Sequence, residues 1–188
     1  MAFLFAFWHL SKQQSARDAL VFFIPALLWG FIVESTSVKL YNLYYYPVET
    51  YLFSLFNTPI AVAFGWATII YFGFFITTKK LFVKKALNID IETAVISTGI
   101  DFIILEPLAF FYKFWIWKQN DFWFGAPLFN FIGWFMVISV FVASYNFVKK
   151  KFRQDRIKQV SLLLVLLSVG LIVLRIITEL YLTLFGWF

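Results

Sequence analysis

The stretch KQVSLLLVLLSVGLIVLRIITELYLTLF, residues 158–185, decides the fold. It is longer than the ~20 apolar residues that a helix needs to cross a bilayer. Four further apolar stretches of spanning length precede it, at residues 18–38, 52–77, 92–116 and 127–148. Only 14% of the chain is charged and 62% is hydrophobic, whereas roughly 25% charged residues is usual in soluble domains. The sequence therefore predicts an all-α, polytopic membrane bundle of about five transmembrane helices.

The first 17 residues precede these spans and open on MAFLFAFWHL. This apolar run is too short to cross a bilayer, so we predict a short interfacial segment at residues 1–17. Its aromatic residues would lie at the headgroups while His9, Lys12 and Arg17 stay in water. Because no linker, repeat or low-complexity tract divides the chain, we expect one integral membrane domain over residues 1–188.

Basic residues occupy alternate connecting segments. Twelve of the sixteen lie in residues 1–17, in TTKKLFVKKALNID at 77–90, and in KKKFRQDRIK at 149–158. The positive-inside rule makes these segments cytoplasmic. We therefore predict a multi-pass protein of the cell membrane with its amino terminus in the cytoplasm and its carboxyl terminus outside. The net charge of +6 then suits anionic lipid headgroups, and we expect no nucleic-acid partner.

The two predicted outer loops, YNLYYYPVETY at 41–51 and WIWKQNDFWFG at 115–125, are rich in aromatic residues. An aromatic belt at the membrane interface explains part of this composition. The inner loops carry almost no aromatic residues, however. An aromatic-walled pocket that opens on the outer side is the competing interpretation, and the sequence leaves both open.

Ionisable side chains inside spans are costly, and each marks a candidate functional position or an interhelical hydrogen bond. Counted at ~1.5 Å per residue from the inner boundaries, most of them reach the outer half of the bilayer, with Asp101 nearer the midplane. This common level predicts one shared polar pocket. The residues concerned are Glu34, Asp101, Glu106, Arg175 and Glu179, joined by the amides Asn57 and Asn130 at the outer ends of spans two and four.

Two pairs among these residues suggest different roles. Arg175 and Glu179 are spaced i, i+4, which favours a structural ion pair on one helix face. Asp101 and Glu106 lie about 140° apart on a straight helix and would share a face only if Pro107 distorts the turn. A carboxyl in hydrocarbon favours its protonated form, which is a general acid.

Other chemistries lack the residues they need. There are no cysteines and only one histidine, His9, which lies outside the spans. We therefore predict no metal site. No deeply placed lysine, aspartate-rich diphosphate site, glycine-rich phosphate loop or Ser/His/Asp arrangement is present.

Two segments resemble a known family. LFNTPIAVAFGWATIIY at 55–71 and DFIILEPLAFFYKFWIWKQNDFWFGAPLFNFIGWF at 101–135 are similar to the carotenoid biosynthesis family that includes bisanhydrobacterioruberin hydratase and related carotenoid hydratases. Glu34 and the tyrosines at 44–46 also resemble the family's early positions. The matching residues are Pro59, Trp66, Asp101, Glu106, Pro107, Trp115, Trp117, Gly125, Pro127, Asn130, Gly133 and Trp134.

The resemblance implies addition of water to the terminal double bond of an acyclic carotenoid, a lipid-dissolved substrate, without a cofactor. Glu106 or Asp101 would protonate the alkene, and aromatic faces would stabilise the tertiary carbocation. The expected aromatic wall comprises Trp115, Trp117, Trp134 and Tyr45, and the expected water-holding groups are Glu34, Asn57 and Asn130. Trp66 is a further expected substrate-binding residue.

Two other functions fit the same residues. A carotenoid end-group cyclase begins with the same protonation but excludes water, so that an internal double bond captures the cation. A non-catalytic membrane subunit or lipid-binding scaffold would use the buried charges only to hold the bundle together.

Overall fold

The computed structural model describes residues 1–47, 49, 51–81, 88–118 and 122–185. Lys84 and Lys85, two of the basic residues from which one loop is predicted to be cytoplasmic, lie outside the described residues. Positions 119–121 of the second aromatic loop lie outside them too. In the described part, five helical stretches are long and apolar enough to cross a membrane, which confirms the predicted bundle. They are Ala16–Leu40, Ile60–Thr78, Ile89–Tyr112, Leu128–Lys151 and Arg156–Phe185.

The helices and strands follow one another in a simple order. In chain order, the α-helices are α1 (Ala2–Gln13), α2 (Ala16–Ser35), α3 (Ile60–Thr78), α4 (Ile89–Ile100), α5 (Glu106–Tyr112), α6 (Leu128–Lys151) and α7 (Arg156–Phe185). A π-helical turn follows α2 at Thr36–Leu40, and another joins α4 to α5 at Asp101–Leu105. Over the described ranges, the two-residue strands are β1 (Tyr44–Tyr45), β2 (Ser54–Leu55), β3 (Thr58–Pro59) and β4 (Ile116–Trp117).

The amino-terminal segment forms the separate short helix α1, which packs against α2 and α3. Ala6 and Leu10 are buried in the core, while Phe5 and Trp8 are exposed. The interfacial position of this segment stays a prediction. His9 departs from the expectation that it stays in water. Its Nδ1 shares a 2.6 Å hydrogen bond with the hydroxyl of Tyr71, so α1 is fixed to the second span.

The second span starts at Ile60, eight residues later than predicted. Strands β2 and β3 form a tight hairpin there, and Asn57 lies in its turn with a φ of 62°. Pro59 favours extended geometry at the preceding residue and cannot donate a helical hydrogen bond, so the helix begins only after it. The prediction that Asn57 begins a spanning helix is therefore wrong.

The spans close into a ring in which α2 packs on α3, α3 on α4, α4 on α6, α6 on α7 and α7 on α2. Glycines allow three of these contacts to be close. A Cβ at Gly30 would overlap Trp66, one at Gly73 would overlap Ser97, and one at Gly170 would lie 2.6 Å from Val140. Small residues at helix crossings are the usual means of close packing in membranes.

Polar contacts tie the ring together at the end that the basic residues predict to be cytoplasmic. Arg156 forms a 2.9 Å ion pair with Asp18, and Asn146 donates a 2.7 Å hydrogen bond to Asp90. At the opposite end, the two aromatic loops pair through β1 and β4, with Tyr44 opposite Trp117. The loops thus form a small antiparallel cover over the bundle.

Candidate functional site: two carboxyls under an aromatic cover

Asp101 and Glu106 lie at the two ends of the π-helical turn in the third span. The backbone N–H of Glu106 bonds to the carbonyl oxygen of Asp101, five residues earlier. A π-turn is wider than an α-turn, and such turns are frequent at functional sites. It brings the two carboxyls to the same side of the span, where a regular α-helix would separate them. Pro107 has no N–H and its ring disturbs the preceding turn, which is the distortion that the sequence required.

Asn130 connects the two carboxyls. Its Nδ2 donates a 3.1 Å hydrogen bond to Oδ2 of Asp101 and a 2.9 Å hydrogen bond to Oε1 of Glu106. Asn130 lies in the first turn of α6, a helix that begins directly after Pro127. A single side-chain amide on the neighbouring helix α6 therefore holds both carboxyls.

Glu106 accepts further hydrogen bonds from the second aromatic loop. The indole N–H groups of Trp115 and Trp117 donate to its Oε2 at 3.2 and 3.0 Å. With Asn130, three N–H donors surround a side chain that is only 2% exposed. These three N–H donors stabilise the carboxyl group of Glu106 as a hydrogen-bond acceptor.

Glu34 is held in a similar way from the first aromatic loop. The hydroxyls of Tyr44 and Tyr46 donate to its Oε1, and Trp66 donates to its Oε2 at 2.7 Å. Burial, together with the negative charge of Glu34, raises the pKa of both tyrosines well above the ordinary value of 10.0. Both tyrosines therefore stay protonated and act as donors.

Asp101 is the least satisfied of the three carboxyls. It is fully buried, and the bond from Asn130 is the only one it accepts within the part of the chain that the structure describes. Among the described residues, nothing forms a hydrogen bond with its Oδ1. An unpaired buried oxygen of this kind is costly and calls for an explanation.

These side chains surround a small chamber of about 140 Å³, well above the ~10–15 Å³ that one water molecule needs. Eight of the ten predicted site residues line it. They are Glu34, Trp66, Asp101, Glu106, Trp115, Trp117, Asn130 and Trp134.

A larger groove of about 490 Å³ lies between α2, α6 and α7. Glu34, Asn130 and Trp134 line both the groove and the chamber. Trp134 stacks on Trp66 with ring centroids 3.9 Å apart and an interplanar angle of 12°. This stacked pair also borders both spaces, so the groove and the carboxyl chamber adjoin.

Two predicted site residues lie elsewhere. Asn57 is exposed in the β2–β3 turn, and Tyr45 is 45% exposed. Alternate residues of an extended segment face opposite sides, so Tyr44 and Tyr46 point inward where Tyr45 was expected. The run of three tyrosines would have indicated this if the segment had been interpreted as a strand.

Arg175 and Glu179 form the predicted i, i+4 pair at 2.8 Å, with side chains 60% and 46% exposed. Arg175 lines the groove but not the chamber. In the described residues, no group of three or more histidine, aspartate or glutamate side chains could hold a metal ion.

Fold and site together define a polytopic helical membrane protein with a carboxyl-containing aromatic chamber in one half of the bundle. The chain belongs to the carotenoid biosynthesis protein family, whose sequence model matches residues 1–186. Comparison with curated proteins gave no match, and neither did comparison with solved structures.

Proposed function

We propose that the protein is a membrane-embedded carotenoid hydratase that adds water to the terminal double bond of an acyclic carotenoid without a cofactor. Membership of the family supports an isoprenoid substrate. The observation that carries the proposal is the bridging of Asp101 and Glu106 by Asn130 inside a chamber large enough for water. One carboxyl can donate a proton while the other accepts one.

Asp101 is the proposed general acid. A protonated carboxyl needs fewer donors than a carboxylate, and Asp101 accepts one hydrogen bond where Glu34 and Glu106 accept three each. Its proton passes to the less substituted carbon of the terminal double bond. The π electrons form the new C–H bond, and the positive charge develops on the tertiary carbon.

Aromatic rings border the place where this charge forms. Trp66, Trp115, Trp117 and Trp134 all line the chamber, and tryptophan faces attract cations more strongly than the faces of tyrosine or phenylalanine do. The stacked pair of Trp66 and Trp134 is held in place because Glu34 accepts the indole N–H of Trp66. Glu34 is therefore a positioning residue in this proposal.

Glu106 is the proposed proton acceptor. Water adds to the tertiary cation through its oxygen, and the extra proton passes to a carboxylate of the Asp101 and Glu106 pair. Transfer across the pair restores the proton on Asp101, so the acid is regenerated. The net reaction is alkene plus water to tertiary alcohol, with no redox change.

The rival functions differ in their treatment of water and of Asp101. A cyclase must keep water from the cation, whereas this chamber is lined by carboxyl, amide and phenol groups that hold water well. A non-catalytic scaffold leaves the unpaired Oδ1 of Asp101 without a purpose. The polar lining favours hydration.

The test is expression of the full chain in a host that accumulates an acyclic carotenoid, with growth in ¹⁸O-labelled water and mass analysis of the pigments. Hydration adds the mass of one labelled water for each modified end. Cyclisation leaves the mass unchanged, and a scaffold leaves the pigment unchanged. Either of the last two results would refute the proposed reaction.

A further inference from the structure

Gly133 lines the groove in the second turn of α6, next to Trp134, which lines both the groove and the chamber. Glycine in a helix interior costs about 1 kcal/mol relative to alanine, so a packing contact usually accounts for it. Gly30, Gly73 and Gly170 have such contacts. Gly133 does not, because a Cβ built there meets no atom of the described residues within 4 Å.

The open space beside Gly133 belongs to the groove. Ser168 and Thr178 of α7 line opposite ends of the groove, so it follows α7 for about 15 Å. Most of its lining is apolar, and Ile32 and Ile172, exposed on the side of the bundle, border it. The groove is thus an elongated apolar space that is open to the side and adjoins the carboxyl chamber.

We infer that Gly133 is a specificity-determining residue that keeps the groove wide enough for the methyl-bearing polyene chain of the substrate, while the end of that chain enters the chamber. This inference rests on the proposed function for the identity of the ligand. Because the groove and the chamber share wall residues, we expect one ligand to occupy both. An elongated apolar space argues for a hydrocarbon chain as the part that fills it.

The chain offers a matched control. Gly99, on α4, also has no atom of the described residues within 4 Å of a built Cβ, but it lines neither the groove nor the chamber. Leucine at either position gains the same helix propensity. Only leucine at 133 would fill the groove.

The test measures binding of lycopene, an achiral acyclic polyene, to the purified full-length protein in detergent. A polyene held in a chiral site acquires visible circular dichroism, which is absent from free lycopene and needs no catalysis. We expect Gly133→Leu to weaken binding at least ~10-fold, and Gly133→Ala to weaken it by less. Gly99→Leu should bind as the wild type does. Thermal unfolding monitors folding, and Gly133→Ala decides the matter if Gly133→Leu does not fold.

Three results would overturn the inference: no induced dichroism with the wild type, unchanged binding by the folded Gly133 variants, or equal weakening by Gly99→Leu. Failure of the proposed function has a different signature. If the wild type binds lycopene and Gly133→Leu does not, but no water is added to any carotenoid, the groove assignment stands and the hydratase proposal falls.

Discussion

Asp101→Asn and Glu106→Gln should separate a catalytic role from a structural one, because the two carboxyls differ in how many hydrogen bonds they accept. In Asp101→Asn, the side-chain oxygen can keep the bond from Asn130. The new amide nitrogen replaces Oδ1, which has no partner among the described residues. The cost in stability should therefore be below ~1 kcal/mol.

Glu106→Gln should behave differently. Both oxygens of Glu106 accept N–H donors, with Trp115 and Trp117 on Oε2 and Asn130 on Oε1. Either orientation of a glutamine amide places a donor against at least one of these donors. Each buried group left unpaired costs about 1–3 kcal/mol, so Glu106→Gln should unfold at clearly lower temperature than Asp101→Asn.

The hydration rates of the two variants should not follow the order of their stabilities. Loss of the general acid should lower the hydration rate of Asp101→Asn by about 10²–10⁴-fold, although that variant is the more stable of the two. Carotenoid hydration per folded protein, with thermal unfolding in detergent, checks both quantities. Asp18→Asn is the control, since it removes a carboxyl from the ion pair at the other end of the bundle. Full hydration by folded Asp101→Asn would refute the assignment of the acid.

Three further predictions follow from the surroundings of the chamber. Gly30→Ala should lower stability by about 1–3 kcal/mol despite its better helix propensity, because the new methyl group overlaps Trp66; thermal unfolding measures this. Because burial raises the pKa of Tyr44 and Tyr46 above 10.0, their contribution to stability is complete below pH ~10 and is lost at higher pH as they ionise. Unfolding at alkaline pH should therefore depend less on pH when both are replaced by phenylalanine. Asn57→Gly keeps the positive φ of the turn and should leave carotenoid conversion unchanged, whereas loss of conversion would restore Asn57 to the site.

The sequence predicted the spans well because their length and composition are properties of the local chain. Counting residues from the inner ends also predicted that Glu34, Glu106 and Asn130 reach a common level, and the structure brings all three to one chamber. The residue count works because a helix rises by a fixed amount per residue. The convergence of the polar residues was therefore predictable without any tertiary information.

The errors lie where the chain leaves regular α-helix. The apolar run from residue 52 was interpreted as helix, although Pro59 ends a hairpin there and places Asn57 in an exposed turn. Tyr45 points away from the chamber because the direction of each tyrosine is set by the pairing of β1 with β4, which joins residues more than seventy positions apart. At Asp101–Leu105, the sequence predicted a distortion beside Pro107 but not its form, a π-turn. None of these features follows from a local repeat.

The order of Asp101 and Glu106 along the third span gives the proposed site a direction. Asp101 is one π-turn deeper in the bundle, while Glu106 lies beneath the cover formed by the aromatic loops and bonds to Trp115 and Trp117. Neither carboxyl lines the groove, but Trp117, which donates to Glu106, and Asn130, which donates to both carboxyls, line groove and chamber alike. In the proposed reaction, the deeper Asp101 gives its proton to the alkene, and Glu106, nearer the loops, takes a proton from the added water. Asn130 holds both carboxyls through one nitrogen atom, so they stay close enough for the proton to return from Glu106 to Asp101 after each turnover.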